Sequence, residues 1–225
     1  MFSVIFEVRP RTEQWDNYLG IATMLRPELE KVDGFVDNIR YRSLTREGWI
    51  LSLSSWRDEK SVVRWRTQAR HHGAQERGRT EIFLDYHLRV GQVTKDTNIP
   101  EGFELHEQRL DETEAGEATT VILIDGKLDS ERLTNANAED VAKNLGLRSR
   151  AEGLVHWDVF DAVLTPGDVI LLLSWRTQLQ AEIFENSIPP RAGTRLRRVR
   201  IVRDYGMHDR REAPQYYPDI PADAG

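Results

Sequence analysis

The sequence repeats itself once, at a distance of about half its length. Four segments of the first half recur 119 residues further on. They are Asp33-Gly34-Phe35 with Glu152-Gly153-Leu154, Gly48 with Gly167, Ser55-Trp56-Arg57 with Ser174-Trp175-Arg176, and Arg79, Ile82, Asp85 and Tyr86 with Arg198, Ile201, Asp204 and Tyr205. A constant offset over separated segments is hard to obtain by chance. The 225-residue chain is therefore predicted to contain two units of one fold, which differ by no net insertion from the glycine turn to the final strand.

Hydrophobic patterning predicts the same order of elements, β-α-β-β-α-β, in both halves. In the first half the strands are expected at 1–9, 35–43, 49–56 and 80–93, and the helices at 12–31 and 58–75, with a kink or a fresh start at Pro27. In the second half the strands are expected at 119–125, 153–163, 168–175 and 194–205, and the helices at 136–146 and 177–186. This order is typical of a ferredoxin-like unit, whose antiparallel sheet carries both helices on one face.

The other face of each sheet would be bare, and an apolar sheet face must be covered. We therefore predict an α+β fold in which two tandem ferredoxin-like units, 1–93 and 118–207, pack their antiparallel sheets face to face and close into an α/β barrel. A linker at 94–117 joins the units, and an extended tail follows at 208–225. A free edge strand would also allow a homodimer of such tandem chains.

Composition excludes several classes of function. The net charge of -6 argues against nucleic-acid binding, which needs clustered basic side chains. The chain has no cysteine, so disulfides, thiolate nucleophiles and Cys-ligated metal sites are excluded. No segment has the length of apolar sequence that a membrane span needs. We expect a cytoplasmic protein that binds neither nucleic acid nor membrane.

Several short sequences in the first half are shared with a known family. They are Val4-Ile5-Phe6-Glu7-Val8, Leu25-Arg26-Pro27-Glu28-Leu29, Asp33-Gly34-Phe35, the run from Ser52 to Glu59, and Trp65-Arg66 followed by His71, Ala74-Gln75 and Gly78-Arg79. With these residues the chain resembles the antibiotic biosynthesis monooxygenase family of the dimeric α/β-barrel superfamily. The second half matches it more thinly, at Ser174-Trp175-Arg176 and from Arg203 to Met207 and Arg211 to Pro214. The resemblance implies the barrel fold; family members include cofactor-free oxygenases of polycyclic phenols and haem-degrading enzymes.

The second helix of the first half carries the main candidates for chemistry. If this helix is unbroken and Val62 lies in the core, Trp65 and His72 share its inner face and His71 points away. The resemblance favours His71 instead, because that residue aligns with the histidine of the family motif. Both histidines are therefore candidate proton-handling groups, with Trp65 and Arg66 beside them as catalytic candidates.

With these residues, the resemblance implies a cofactor-independent monooxygenase acting on a small aromatic or phenolic substrate. Such a site must bind a flat apolar ring, help to remove a phenolic proton and exclude water. Trp49, Phe83, Glu7 and Gln75 are the predicted substrate-binding residues. The helix histidines are missing from the second half, so the site is expected in residues 1–93.

Haem binding is the main alternative, through His72 or through His156 of the second half. A haem-degrading member would carry an asparagine in the first strand and a histidine ten residues after the helix tryptophan. This chain has Phe6-Glu7 in the strand and Gln75 at the second position, which makes haem cleavage of that type a weaker prediction. A non-catalytic module that binds a small molecule is the third possibility. No metal site is predicted, because adjacent histidines on a helix are splayed apart.

Overall fold

The computed structural model describes residues 1–129, 137–189 and 191–217. The strands of the first half are β1 (Phe2–Pro10), β2 (Phe35–Ser43), β3 (Ile50–Trp56) and β4 (Phe83–Asp96), and its helices are α1 (Trp15–Leu29), α2 (Glu59–Thr67) and α3 (Ala69–Arg77). The second half contributes β5 (Thr120–Lys127), β6 (Leu154–Ala162), β7 (Asp168–Trp175) and β8 (Arg195–Gly206), with helices α4 (Ala138–Asn144) and α5 (Gln178–Ser187).

The eight strands form one closed antiparallel barrel in the order β1-β3-β2-β6-β7-β5-β8-β4. Within each half the order is that of a ferredoxin-like sheet, which confirms the predicted fold. Two seams join the halves, and they differ in length. β4 pairs with β8 from His87 to Asp96, whereas β2 pairs with β6 only from Tyr41 to Ser43.

Apolar side chains from alternate positions of all eight strands fill the barrel, as period-two strand geometry requires. Ile5, Leu53, Leu123, Phe160 and Leu172 are buried in this cluster. Residues 103–105 of the linker pack against the same cluster through Phe103 and Leu105. The sheet faces that carry no helix therefore pack against each other, as the sequence predicts.

The repeated Gly and Ser-Trp-Arg segments meet in space in both halves. Gly34 and Gly153 have φ values of +86° and +82°, a region that favours glycine. The carbonyl oxygen of Gly34 accepts a hydrogen bond from the backbone N–H of Arg57 at 2.8 Å, and that of Gly153 accepts one from Arg176 at 2.9 Å. The repeat thus preserves the same contact in both halves, between the turn before β2 and the end of β3 and between the turn before β6 and the end of β7.

The constant offset of 119 residues is wrong for the last strand. In the hairpins it holds, because Trp56 pairs with Phe35 and Trp175 pairs with Leu154. On the first and last strands, however, Ile5 pairs with Arg89 and its counterpart Leu123 pairs with Arg197. Arg89 and Arg197 are only 108 residues apart, since the single short helix α5 replaces α2 and α3 and the last strand arrives sooner.

The helices differ from expectation at two points. α1 runs from Trp15 to Leu29 without a fresh start at Pro27. The expected helix 58–75 is two helices, because Gln68 adopts an extended conformation with φ -65° and ψ 130° between α2 and α3. The expected start of the second-half helix at residue 136 lies outside the described residues. None of the helices in the described ranges is long and apolar enough to cross a membrane.

Candidate functional site

A cavity of about 230 Å³ lies in the first half, between the outer face of its sheet and helices α1 to α3. We call it the helix-side cavity. Apolar and aromatic side chains form most of its wall, as is usual for sites of small ligands. Its lining includes Val4, Phe6, Tyr18, Leu25, Leu29, Phe35, Val62, Trp65, Phe83, Tyr86, Leu88, Val90 and Tyr205.

The break at Gln68 decides which histidine reaches this cavity. The side chain of Gln68 accepts a hydrogen bond from the backbone N–H of His71 at 3.1 Å and so caps α3. Because Gln68 is extended, α3 does not continue α2, and its side chains point in other directions than they would on one unbroken helix. As a result His71 lines the cavity and His72 does not, which reverses the orientation expected for an unbroken helix.

His71 packs face to face with Trp65, with ring centroids 4.2 Å apart and ring planes inclined by 15°. Its Nδ1 lies 2.9 Å from the carbonyl oxygen of Trp65. A carbonyl oxygen only accepts, so Nδ1 carries the proton and Nε2 keeps a lone pair. Burial lowers the pKa of His71 to about 4, and the hydrogen bond to Trp65 only partly opposes this. The imidazole is therefore neutral at neutral pH, an acceptor and a weak base.

Positive charge is concentrated at one part of the cavity wall. Arg66 of α2 and Arg203 of β8 both line the cavity, and the nearby carboxylate of Glu59 forms its ion pair with Arg109 instead. Among the described residues the buried Nε of Arg66 has no hydrogen-bond partner. Burial lowers the pKa of Arg66 and the like charge of Arg203 acts in the same direction, while Tyr205 and the carboxylate of Glu59, which also lines the cavity, act against them. Two neighbouring guanidinium groups of this kind favour the binding of an anion.

The C-terminal segment completes the cavity from outside the first unit. Arg210, Gln215 and Tyr217 line it. Arg210 donates to the hydroxyl oxygen of Tyr86 at 2.6 Å, and Arg79 donates to the same oxygen at 2.8 Å. The predicted tail is therefore part of the site, and the cavity is not confined to residues 1–93.

Four predicted residues besides His71 lie in the cavity wall: Trp65, Arg66, Phe83 and Gln75. Their roles stay predictions. Trp49 lies elsewhere, where the guanidinium of Arg46 sits 4.5 Å from its ring centroid. Trp49 does not line the helix-side cavity, because it follows the hairpin turn, whose direction the sequence does not fix; its part in substrate binding stays a prediction.

Glu7, a predicted substrate-binding residue, lies inside the barrel and not in the cavity. It is 2% exposed and forms ion pairs with Arg89 and Arg46. Burial opposes its ionisation, but attraction by Arg89, Arg46 and His87 outweighs burial and lowers the pKa of Glu7 to about 2. A permanently ionised carboxylate on the opposite face of the sheet can neither touch a ligand in the cavity nor act as a base there.

The two histidines proposed as alternative haem ligands lie outside the helix-side cavity. His72 is exposed and faces Tyr217, whereas His156 is exposed on β6, near Glu7, Arg46 and Asp158. This cavity therefore takes no haem ligand from either position, and haem binding through one of them stays a prediction. Within the described ranges no group of three or more His, Cys, Asp or Glu side chains could hold a metal ion.

The matching space of the second half is filled by its own side chains. Trp175 packs on Phe184 with centroids 4.8 Å apart, in a cluster with Trp157 and Leu173. A second cavity of about 310 Å³ lies at the edge of this half, lined by Lys95, Lys143, Arg148, Glu185 and Arg191 among others. Its charged groups already have partners, such as the Lys95–Glu185 ion pair and the hydrogen bond from Arg148 to the Ser187 carbonyl. The helix-side cavity is thus the better candidate.

Comparison with known proteins shows the family of this chain. The sequence profile of the antibiotic biosynthesis monooxygenase family matches residues 1–77. A protein of Pyricularia oryzae named jasmonate monooxygenase ABM is 51% identical over 224 residues, which cover 97% of this chain and 99% of that protein. This chain belongs to the antibiotic biosynthesis monooxygenase family. The resemblance seen in the sequence is thereby confirmed.

Two solved structures illustrate the likeness of the fold at low sequence identity. An anthrone oxidase-like protein is 11% identical with a TM-score of 0.36, covering 95% of this chain and 96% of that chain. A haem-binding protein from Thermus thermophilus is 12% identical with a TM-score of 0.28, covering 89% of this chain and 90% of that chain. Likeness at this level carries no argument about activity.

Sequence reasoning missed two groups of cavity residues. Arg203 and Tyr205 come from β8, and Arg210, Gln215 and Tyr217 come from the tail. Helical spacing could not find them, because they reach the cavity through the β4–β8 seam between the halves. The ending from Arg203 to Met207, which carried part of the family resemblance, was the one available signal.

Proposed function

We propose that this protein is a monooxygenase that binds a small, mostly apolar carboxylic acid in the helix-side cavity, with jasmonate as the first substrate to test. The name of the relative that is 51% identical over nearly the whole chain supports jasmonate. The chemistry of the cavity supports the class: an apolar body would contact the wall, and a carboxylate would meet the arginines. The aromatic or phenolic substrate expected from sequence becomes the second candidate.

The observation that carries the proposal is the pair Arg66 and Arg203. A carboxylate between them would supply acceptors for the unpartnered Nε of Arg66 and would offset the repulsion of like charges. A hydrogen bond to a charged group contributes about 1.5–3 kcal/mol, which corresponds to roughly ten- to hundredfold in affinity. The acid should bind more tightly than its neutral ester by about this factor.

The size and apolar character of the cavity suit such a ligand. Its volume of about 230 Å³ exceeds the roughly 150 Å³ of an apolar cavity that admits benzene. Phe6, Phe83 and Leu88 would cover the apolar body and keep water from the reacting carbon.

Electron balance separates the two substrate classes. Hydroxylation of an aliphatic carbon, R–H + O2 + 2e⁻ + 2H⁺ → R–OH + H2O, needs an external two-electron reductant. Oxidation of an activated phenolic methylene to a carbonyl consumes one molecule of dioxygen and releases one of water. It needs no reductant, because the two C–H bonds of the substrate supply all the electrons. Cofactor independence therefore belongs with the phenolic substrate, which the aromatic wall of Trp65, Phe83 and Tyr86 favours.

His71 is a poor base for the phenolic reaction. Moving a proton from a phenol of pKa about 10 to an imidazole of pKa about 4 costs roughly 8 kcal/mol. We infer that His71 orients the ligand through Nε2 and does not itself take the phenolic proton.

The test combines binding and turnover. Titration calorimetry should show jasmonate binding to the wild type and roughly ten- to hundredfold weaker binding to Arg66→Gln. Arg64→Gln is the matched control, because Arg64 lies on the same helix, is half exposed and pairs with Asp33. Incubation of jasmonate with ¹⁸O2 should yield product carrying one labelled oxygen when reduced flavin is present and no product when it is left out, because hydroxylation of an aliphatic carbon needs two external electrons.

Equal binding of jasmonate to the Arg66→Gln and Arg64→Gln variants would contradict the carboxylate site. Equal affinity for jasmonate and its methyl ester would do the same. A Soret band in the protein after titration with haem would favour the haem alternative, and binding without oxygen incorporation would favour a non-catalytic module.

A further inference from the structure

The C-terminal segment, residues 207–217, crosses from the second half of the barrel to helix α3 of the first half. It leaves β8 at Met207, whose backbone N–H donates to the carbonyl oxygen of Tyr86 at 3.1 Å. It ends the described chain at Tyr217, which lines the helix-side cavity and is only 9% exposed. A segment from the far end of the chain therefore forms part of the cavity wall.

Polar contacts anchor this segment to α3. The ring of Tyr217 stacks on His72 with centroids 5.6 Å apart, and its hydroxyl oxygen lies 3.3 Å from His72 Nδ1. Gln215 Nε2 donates to Gln75 Oε1 at 2.9 Å. His72, outside the cavity, thus serves as an attachment point for the residue that closes it.

Two guanidinium groups lie close to the ring of Tyr217. Arg79 and Arg210 lie 5.6 and 5.3 Å from the centroid of the Tyr217 ring, within the range of cation–π attraction. The neighbouring Tyr216 is 91% exposed. Burial is therefore specific to position 217 and is not a general property of the segment.

We propose that Tyr217 is a specificity-determining residue, whose ring sets the length of apolar chain that a bound carboxylic acid can carry. The inference rests on the proposed function in taking a carboxylic acid as the ligand. Each methylene that enters an apolar cavity raises affinity about fourfold. The gain stops when the next methylene must displace the Tyr217 ring or remain in water.

The test uses binding and does not require turnover. Titration calorimetry measures the affinity of straight-chain carboxylates from hexanoate to dodecanoate, each below its micelle concentration. For the wild type, affinity should rise about fourfold per methylene and then level off. For Tyr217→Ala the rise should continue to longer chains, and a chain ending at Pro214 should behave in the same way.

Two substitutions separate the role of the ring from other effects. Tyr217→Phe keeps the ring and removes only the hydroxyl, so its length profile should match the wild type. Tyr216→Ala alters an exposed neighbour and should also match. Thermal unfolding of each variant checks that the fold is kept.

The outcomes distinguish this inference from the function on which it rests. Identical length profiles for the wild type, Tyr217→Ala and Tyr216→Ala would overturn the role of Tyr217 and leave the carboxylate site intact. Absence of binding by every carboxylate, in the wild type and in Tyr217→Ala, would overturn both proposals.

Discussion

Replacing Glu7 by glutamine should destabilise the protein by about 3 kcal/mol at neutral pH. The pKa of Glu7 falls from 4.5 to about 2 in the folded state, and each unit corresponds to about 1.4 kcal/mol of folding free energy. Removing one partner of a buried ion pair independently costs about 3–5 kcal/mol, because the other charge stays buried without compensation. Arg89, 2% exposed, is that uncompensated charge.

The effect has a definite dependence on pH. A carboxylate whose pKa is depressed by folding stabilises the protein fully above its unfolded pKa of 4.5, and this stabilisation is lost as the pH falls toward 2. Wild type and Glu7→Gln should therefore differ most at neutral pH and converge in acid. Urea unfolding followed by circular dichroism at a series of pH values measures both free energies.

Asp33→Asn is the matched control, because Asp33 forms ion pairs with Arg57 and Arg64 on the surface. Exposed pairs contribute little, so the free energy of unfolding should hardly change. The reasoning is refuted if Glu7→Gln loses less than about 1 kcal/mol, the range of an exposed pair. Parallel pH dependence in the wild type and the variant would refute it as well.

Three further predictions follow from the same contacts. The pH profile of kcat/KM should show no step near 6.5 from His71, and one that disappears in His71→Asn would contradict its lowered pKa. Gly34→Ala should lower the melting temperature more than Gly102→Ala. Both glycines have a positive φ, but only a Cβ at position 34 would collide with Ser61. Equal melting temperatures of the two variants would contradict this packing. Gln68→Ala should cost about 1 kcal/mol in urea unfolding, because it removes the cap of α3; an unchanged stability would mean that the cap contributes nothing.

The order of strands and helices could be predicted from the sequence, because hydrophobic periodicity and turn residues depend only on neighbouring positions in the chain. Gly34 and Gly153 mark equivalent turns, and Trp56 and Trp175 mark equivalent strand ends. The last strand could not be aligned in this way. The matching Asp-Tyr pairs suggested one offset, but register is set by pairing with β1 and β5, and the shorter helix α5 shifts it.

The site was partly predictable for a similar reason. Trp65 precedes the break in the second helix and lies in the cavity wall, on the face that helical spacing indicates; Arg66 lines the cavity too, although spacing alone did not place it there. The histidines follow Gln68, and one extended residue is enough to rotate His71 inward and His72 outward. Tyr217 lies more than a hundred residues away from α3 in sequence, and no local sequence pattern predicts a contact over such a distance.

The single chain has a consequence for what each half can carry. In a dimer of identical subunits both sheets have the same sequence, so a side chain that fills the helix side of one sheet fills it in the other as well. Here the first half carries α2 and α3 where the second carries the one helix α5, and Trp175 packs on Phe184 where the first half has its cavity. One half can therefore hold a ligand, while the other contributes the strands that complete the barrel.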